Sequence, residues 1–204
     1  PPFNETHPPA PVDPYGIAKY AVELDLAAAH RMFGLEYTIF RPHNIFGPRQ
    51  HTGDRYRNVV GIFMNQIIRG EPLTIFGTGT QTRAFSYVGD VVPSIARCVE
   101  MPEPAGQTYN VGGDIVYTVL ELAETCIRIA GQGGELAFLP ERKEARHAYA
   151  DHKKAHKAFG LPNPVMLEDG LRVMWDWAAR LGPQVPSRFA DIELTENLPT
   201  VYQP

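Results

Sequence analysis

The sequence predicts an α/β protein, and three observations carry that expectation. Stretches with apolar residues at helical spacing alternate with short runs rich in Val, Ile, Phe, Tyr and Thr, and the two types are not segregated along the chain. Glycine stands just beyond several helical stretches, at Gly34, Gly70 and Gly131, where a left-handed residue ends a helix. The composition, 44% hydrophobic and 21% charged over 204 residues, suffices for one substantial core or two small ones.

Each element follows in order. A Pro-rich lead (Pro8, Pro9, Pro11, Pro14) gives way at Tyr15 to Ala, Leu and Glu with apolar spacing, a helix to Phe33 closed by Gly34. Leu35 to Phe40 is a β-rich run that Arg41-Pro42 is expected to stop, because proline restricts the residue before it. A long loop from His43 to about Arg57 leads into a helix over about Asn58 to Arg69, ended by Gly70. Leu73–Phe76 and Ala84–Val88 read as strands around the turn-rich Gly77-Thr78-Gly79-Thr80, which is expected to close a hairpin. Helices near Asp90–Glu100, Val119–Ala130, Asp151–Phe159 and Leu167–Leu181, with strands near Thr108–Val111 and Glu135–Phe138, complete the regular structure. The Ile62-Phe63-Met64 run, Trp175 and Trp177 read as packing residues, and Pro183 to Pro204 as an extended tail.

Charge and composition exclude several classes. A net charge of −4 gives no basic face for nucleic acid, and no apolar run is long enough to span a bilayer. Pro1-Pro2-Phe3-Asn4-Glu5 has neither the cationic start nor the apolar stretch of a secretory signal, so a cytoplasmic setting is expected. Cys98 and Cys126, both in apolar helical patterns, are too few for a disulfide framework and are expected to be buried thiols.

Tyr15 and Lys19 stand four residues apart, on one helical face, with Cβ atoms about 5–6 Å apart. An ammonium beside a phenol favours phenolate, so a tyrosine of reference pKa about 10 becomes a proton acceptor nearer neutrality. On spacing alone, a surface pair is the simpler account. Nucleotide chemistry asks for a G-x-G-x-x-G turn between a strand and a helix, and these 204 residues contain none. Gly131-Gln132-Gly133-Gly134 follows a helix instead of preceding one. His152 and His156 share a helical face, but no third ligand stands at a telling spacing, so no metal site is expected.

Several motifs occur in a fixed order: Pro11-Val12-Asp13-Pro14-Tyr15-Gly16-Ile17-Ala18-Lys19, then Arg41-Pro42-His43-Asn44-Ile45-Phe46-Gly47-Pro48-Arg49-Gln50, then Leu73 to Val88, then Tyr109-Asn110-Val111-Gly112. Together they resemble the C-terminal half of an extended short-chain dehydrogenase/reductase, of the NAD-dependent sugar-nucleotide epimerase/dehydratase group, with UDP-glucose 4-epimerase-like proteins the nearest type. The resemblance covers about Phe3 to Leu181.

The resemblance implies the C-terminal part of a Rossmann-type doubly wound fold plus a smaller mixed α/β substrate-binding lobe. It implies a division into residues 1–42, a remnant of the NAD-binding domain; 43–182, mainly the sugar-nucleotide lobe with some returning Rossmann elements; and 183–204, an extended tail. Tyr15 is then the base that takes the sugar hydroxyl proton as hydride passes to NAD, and Lys19 lowers its pKa and binds the nicotinamide ribose. Backbone at Pro42 faces the nicotinamide. Asn44 binds the sugar nucleotide, Leu73, Thr74 and Phe76 line the base slot, and Arg83 and Arg146 hold the diphosphate of a UDP-sugar. For Asn44 a turn role, and for Pro42 a strand terminator, are the rival readings from the residues alone.

The sequence departs from the family pattern at Ala84, often aspartate, and at Gly89-Asp90, often an acidic pair. The resemblance also puts the first strands, the Gly-rich turn and the Ser/Thr partner of the tyrosine ahead of Pro1, on the order of a hundred residues. Negligible activity is therefore expected of this chain alone. A 4,6-dehydratase or decarboxylase of the same family, or a non-catalytic nucleotide-sugar-binding fragment, are the alternatives. A homodimer is compatible with the family pattern.

Overall fold

Parallel strand pairs joined by long crossovers carry the fold in the computed structural model, which describes residues 1–54, 57–101, 106–131, 133–142 and 144–186. Helix α1 (Pro14–Phe33) forms where the proline-rich lead ends: Asp13 Oδ1 accepts from Gly16 N at 2.6 Å, Pro14 occupies the first turn, and Gly34 at φ 70° closes the last. None of its residues is buried, and its Glu23 forms a two-point ion pair with Arg41. That arginine lies on β1 (Thr38–Pro42), which pairs in parallel with β6 (Gln107–Val111), Thr38 opposite Gln107 and Pro42 opposite Val111. The strand begins three residues later than the periodicity predicts and includes Arg41-Pro42. Proline is tolerated there because it is the strand's last residue on a two-stranded sheet and has no ladder to continue.

Beyond β1, the expected loop contains a two-residue strand, β2 (Ile45–Phe46), parallel to β5 (Ser86–Tyr87). Helix α2 (Val59–Arg69) follows and ends at Gly70. Strand β3 (Leu73–Phe76) pairs in parallel with β8 (Leu136–Leu139), and β4 (Thr82–Ala84) is the centre of a three-stranded sheet between β7 (Val116–Thr118) and β9 (His147–Ala148). Helices α3 (Val88–Cys98), α4 (Val119–Ala130), α5 (Lys153–Phe159) and α6 (Leu167–Leu181) complete the described elements. Short β2, β7 and β9 escaped the sequence pattern, since two or three residues cannot display a period.

The expected hairpin at Gly77–Thr80 does not form. Strands β3 and β4 belong to different sheets, and the turn serves α4 instead: Leu120 N donates to the Gly79 carbonyl at 3.0 Å and Val119 N to that of Gln81 at 3.1 Å. A helix's first amides lack partners within the helix, so acceptors presented by a preceding turn satisfy them. Thr118 and Glu121 add a reciprocal capping box, which holds the Glu121 carboxyl below its ordinary value.

Two buried clusters result. In the larger, Phe63 and Met64 of α2, Leu122, Ala123 and Cys126 of α4, and Leu171 and Met174 of α6 pack against Leu73 and Ile75 of β3, with Trp175 and Trp177 at its margin as expected. In the smaller, α3 and α5 cover the β1/β6 pair through Val91, Tyr109, Val111, Ala155 and Phe159; the Tyr109 and Phe159 rings meet edge to face at 4.9 Å. Cys126 is buried as expected, with its thiol pushed up to about 12 by burial, whereas Cys98 is only half-buried because it stands at the last turn of α3. Between the clusters, Gly112 at φ 154° leaves no room for a side chain: a Cβ there would lie 2.3 Å from Ser86 Oγ.

The larger cluster should dominate stability. Leu122→Ala removes a fully buried side chain from the α2/α4/α6 junction and is expected to lower stability by about 2–5 kcal/mol, read as a fall in the urea midpoint with an unchanged slope.

Candidate functional site

Strand β3 alternates its faces, and this alternation builds the candidate site. Leu73 and Ile75 point into the core, while Thr74 and Phe76 face a cavity of about 680 Å³ on the opposite side. Its lining also includes Asn44, Gln66, Gln81, Arg83, Arg142 and the first residues of α2. Gln66 fixes Thr74 from α2, donating from its amide to Thr74 Oγ1 at 3.1 Å and accepting from Thr74 N at 3.3 Å. At the mouth, Asn65 makes a two-way amide contact with the backbone of Gln184, at 2.9 and 3.0 Å, which holds Val185 and Pro186 in the lining.

The charges in this cavity come in opposed pairs. Arg83 lies 3.2 Å from Glu144, Arg69 lies 2.7 Å from Glu71, and Arg83 also donates to the carbonyls of Thr82 and Arg146 at 2.8 and 3.2 Å. The start of α2 faces the same space. Asn58 precedes it in a left-handed conformation, φ 65°, and makes no side-chain cap hydrogen bond. A guanidinium and the positive end of a helix thus converge on one volume, an arrangement that suits a phosphate-bearing ligand.

The residues predicted from the sequence are distributed unevenly over this geometry. Asn44, Thr74, Phe76 and Arg83 line the cavity together. Leu73 is fully buried behind it. Asn44 has φ 40° and, while lining the cavity, donates from its amide to the Ala84 carbonyl at 3.0 Å, a contact across 40 residues. Arg146 is exposed and lines a second cavity of about 260 Å³, shared with Thr78, Thr80 and Glu141. Tyr15 and Lys19 sit side by side on α1, the ammonium 5.6 Å from the ring centre, with Tyr15 71% exposed and lining neither cavity. Pro42, at the end of β1, is likewise outside both linings.

Sequence reasoning missed Gln66, Gln81 and Arg142. Gln66 carries no motif, Gln81 stands inside the Leu73–Val88 motif with no role attached to it, and Arg142 sits in a charge-rich run that looks like solvated surface. In the structure its guanidinium carbon lies over the Phe76 ring, 3.4 Å from the ring centre.

A histidine network lies behind Asn44. His152 is 1% exposed and its Nδ1 is 2.8 Å from Asp114 Oδ1; His156 Nε2 is 3.4 Å from the other carboxylate oxygen. The His43 ring is 5.7 Å from that of His152, and burial, with the neighbouring imidazole, pushes His43 down to about 4. Spacing alone suggested only the His152/His156 pair; Asp114 and His43 come from distant loops. Among the described residues, no group of three or more His, Cys, Asp or Glu is gathered as a metal site.

The family model for the NAD dependent epimerase/dehydratase family matches residues 1–112. A Methanocaldococcus jannaschii protein with the provisional name UDP-glucose 4-epimerase is 32% identical over 177 residues, 86% of this chain and 56% of that protein. UDP-glucuronic acid decarboxylase 1 of Xenopus tropicalis is 32% identical over 170 residues, 83% of this chain and 39% of its own length. The crystal structure of Thermotoga maritima UDP-glucose 4-epimerase with UDP-glucose superposes at a TM-score of 0.81 with 36% identity, covering 88% of this chain and 58% of that one. The chain therefore spans about half the length, or less, of the curated relatives it matches.

The depressed His43 makes stability pH-dependent. The fold favours its neutral form, so the contribution is fully present above the unfolded value of 6.5 and is lost as pH falls through about 4. A shift of this size corresponds to about 2–4 kcal/mol. Urea midpoints are expected to drop across that window, and His43→Gln to flatten the drop.

Proposed function

Because the chain belongs to the NAD dependent epimerase/dehydratase family, we propose that its larger cavity is the sugar-nucleotide site of a UDP-sugar 4-epimerase-type enzyme. One observation carries the reading: a single cavity, of the size that encloses small-molecule ligands, combines an aromatic face, Phe76, with a guanidinium, Arg83, and the uncapped start of α2. The base takes the Phe76 side, the diphosphate takes Arg83 and the α2 amides, and Asn44 meets the sugar end. Glu144 occupies Arg83 until a diphosphate exchanges with it; two negative charges on one ligand are a stronger partner than one half-exposed carboxylate.

Tyr15 is assigned the hydroxyl proton of the sugar, with the Lys19 ammonium beside its ring. NAD, when bound, supplies the hydride acceptor. The adjacent Tyr15 and Lys19 would hold its nicotinamide end, and the backbone at Pro42 is assigned to the same end. No residue of this chain is assigned to its pyrophosphate, since the 204 residues contain no G-x-G-x-x-G turn.

Two further readings have an observation each. The exposure of Tyr15, away from both cavities, favours nucleotide-sugar binding without turnover by this chain alone. Equal identity to an epimerase and to a UDP-glucuronic acid decarboxylase keeps decarboxylation open as the reaction of the same site.

For the purified 204-residue chain, millimolar UDP-glucose is expected to raise the melting temperature by several degrees, through binding to the native state only. Arg83→Ala should weaken UDP binding about ten- to hundredfold, the loss of a charge-assisted pair of hydrogen bonds. Absence of any UDP effect at that concentration would remove the nucleotide reading. Turnover of UDP-glucose or UDP-glucuronic acid, followed by chromatography of the products, is expected to be negligible for this chain, and measurable turnover would overturn the binding-only reading.

A further inference from the structure

Past α6 the chain supplies part of the wall of the larger cavity. Gly182 ends the helix at φ 79°, and Pro183–Pro186 follow, beyond the stretch from Phe3 to Leu181 that carries the family resemblance. Gln184 is pinned. Its backbone N–H donates to Asn65 Oδ1 at 2.9 Å, its carbonyl accepts from Asn65 Nδ2 at 3.0 Å, and its side-chain amide donates to the Gly182 carbonyl at 3.1 Å. A Cβ on the buried Gly53 would lie 3.2 Å from the Val185 carbonyl oxygen and 3.4 Å from Gln184 Cβ, so the segment lies directly against the loop ahead of α2. Backbone held in this way has little conformational freedom left to lose when a ligand settles beside it.

Val185 combines this fixed backbone with a side chain that is 85% exposed, and it lines the cavity together with Pro186. An exposed valine is ordinary on a surface, but on a pinned backbone at the rim of a cavity it is a preformed apolar contact. We propose that Val185 and Pro186 form an apolar wall against the nucleoside end of the ligand, and that Asn65 is the residue that positions this wall. The inference rests on the reading of this cavity as a nucleotide site. A nucleoside suits an aliphatic wall, because base and ribose carbons bury apolar area against it. A diphosphate would lose hydration there with no hydrogen bond in return. The attachment point on α2 matches. Asn65 precedes Gln66, which holds Thr74 on the Phe76 side, and it stands roughly 9 Å along the helix axis from Val59 and the start of α2, where the diphosphate is assigned.

Titration of the 204-residue chain with two probes, UDP and inorganic pyrophosphate, tests both halves of the proposal, with circular dichroism and urea midpoints checking the fold of each variant. Val185→Ala removes an exposed side chain, so its urea midpoint should stay in place. Its UDP binding is expected to weaken about two- to tenfold, the span for one or two methyl-sized groups covered by the ligand, with pyrophosphate affinity unchanged. Asn65→Leu roughly keeps the side-chain volume but removes both hydrogen bonds to Gln184, and should weaken UDP at least as much. Val185→Ala added to Asn65→Leu should then cost less than it does in the unmodified chain, since the wall has already lost its place. Hydrogen exchange at the Gln184 amide should slow on UDP binding in the unmodified chain, and be fast and indifferent to UDP in Asn65→Leu. Unchanged UDP affinity in Val185→Ala overturns the wall. Losses that simply add, or equal weakening of UDP and pyrophosphate by Asn65→Leu, overturn the positioning role and leave Asn65 as a support of the cavity in general. If the unmodified chain and all variants fail to bind UDP, the nucleotide reading itself has failed and takes this inference with it, a result distinct from UDP binding that is indifferent to Val185.

Discussion

The parallel pairing of β3 with β8 is the constraint on which the rest depends. Parallel strands end at the same edge, so Phe76 and Leu139 finish side by side even though the chain runs through β4 to α4 between them. The connection between such strands has to be long, and here it supplies α3 and α4. Immediately past Leu139 come Arg142 and Glu144; immediately past Phe76 come the turn that feeds α4 and the strand that bears Arg83. One register thus gathers an aromatic face, two guanidiniums and a carboxylate at one rim. The two inward residues of β3, Leu73 and Ile75, anchor that register in the larger core, since a slip by one residue would exchange the buried and cavity faces.

Charge opposition around the cavity gives it a definite resting state. Arg83 and Arg69 each face a carboxylate, Glu144 and Glu71, and Arg142 rests on a ring. Cations left in a partly dry cavity without partners would be costly; pairing offsets that cost while keeping the guanidiniums in place. An anionic ligand then enters by exchange of partners and not by simple attraction. The same logic places the start of α2 in the lining, where its amides lack a side-chain cap from Asn58.

Behind the cavity, His43, His152, His156 and Asp114 join three otherwise separate pieces: the end of β1, the loop after β6, and α5. Asp114 touches both His152 and His156, so a single carboxylate on an open loop couples to a buried ring and to a half-exposed one. Asn44 follows His43 directly, and its backbone carbonyl accepts from Ser86 N at 3.2 Å. The protonation of a residue outside the lining is therefore mechanically close to one inside it.

Local order was legible in the residues themselves. The helix from Tyr15 to Phe33, with Gly34 at its end, and the adjacency of Tyr15 and Lys19 follow from i,i+4 geometry and capping, which need no partner elsewhere in the chain. The motif order identified the family, and β3, α4 and α6 fall where their periods put them. What tertiary structure alone decided involves residues far apart in sequence. The Gly77–Thr80 turn looks like a hairpin until β8 takes β3 as its partner; Arg142 looks like surface until β8 delivers it to Phe76; Asn65 meets Gln184 and His152 meets Asp114 across 119 and 38 residues. A strand's period states which faces it has and not which strand it will join. Strand choice depends on burying both clusters at once, and that condition belongs to the whole chain.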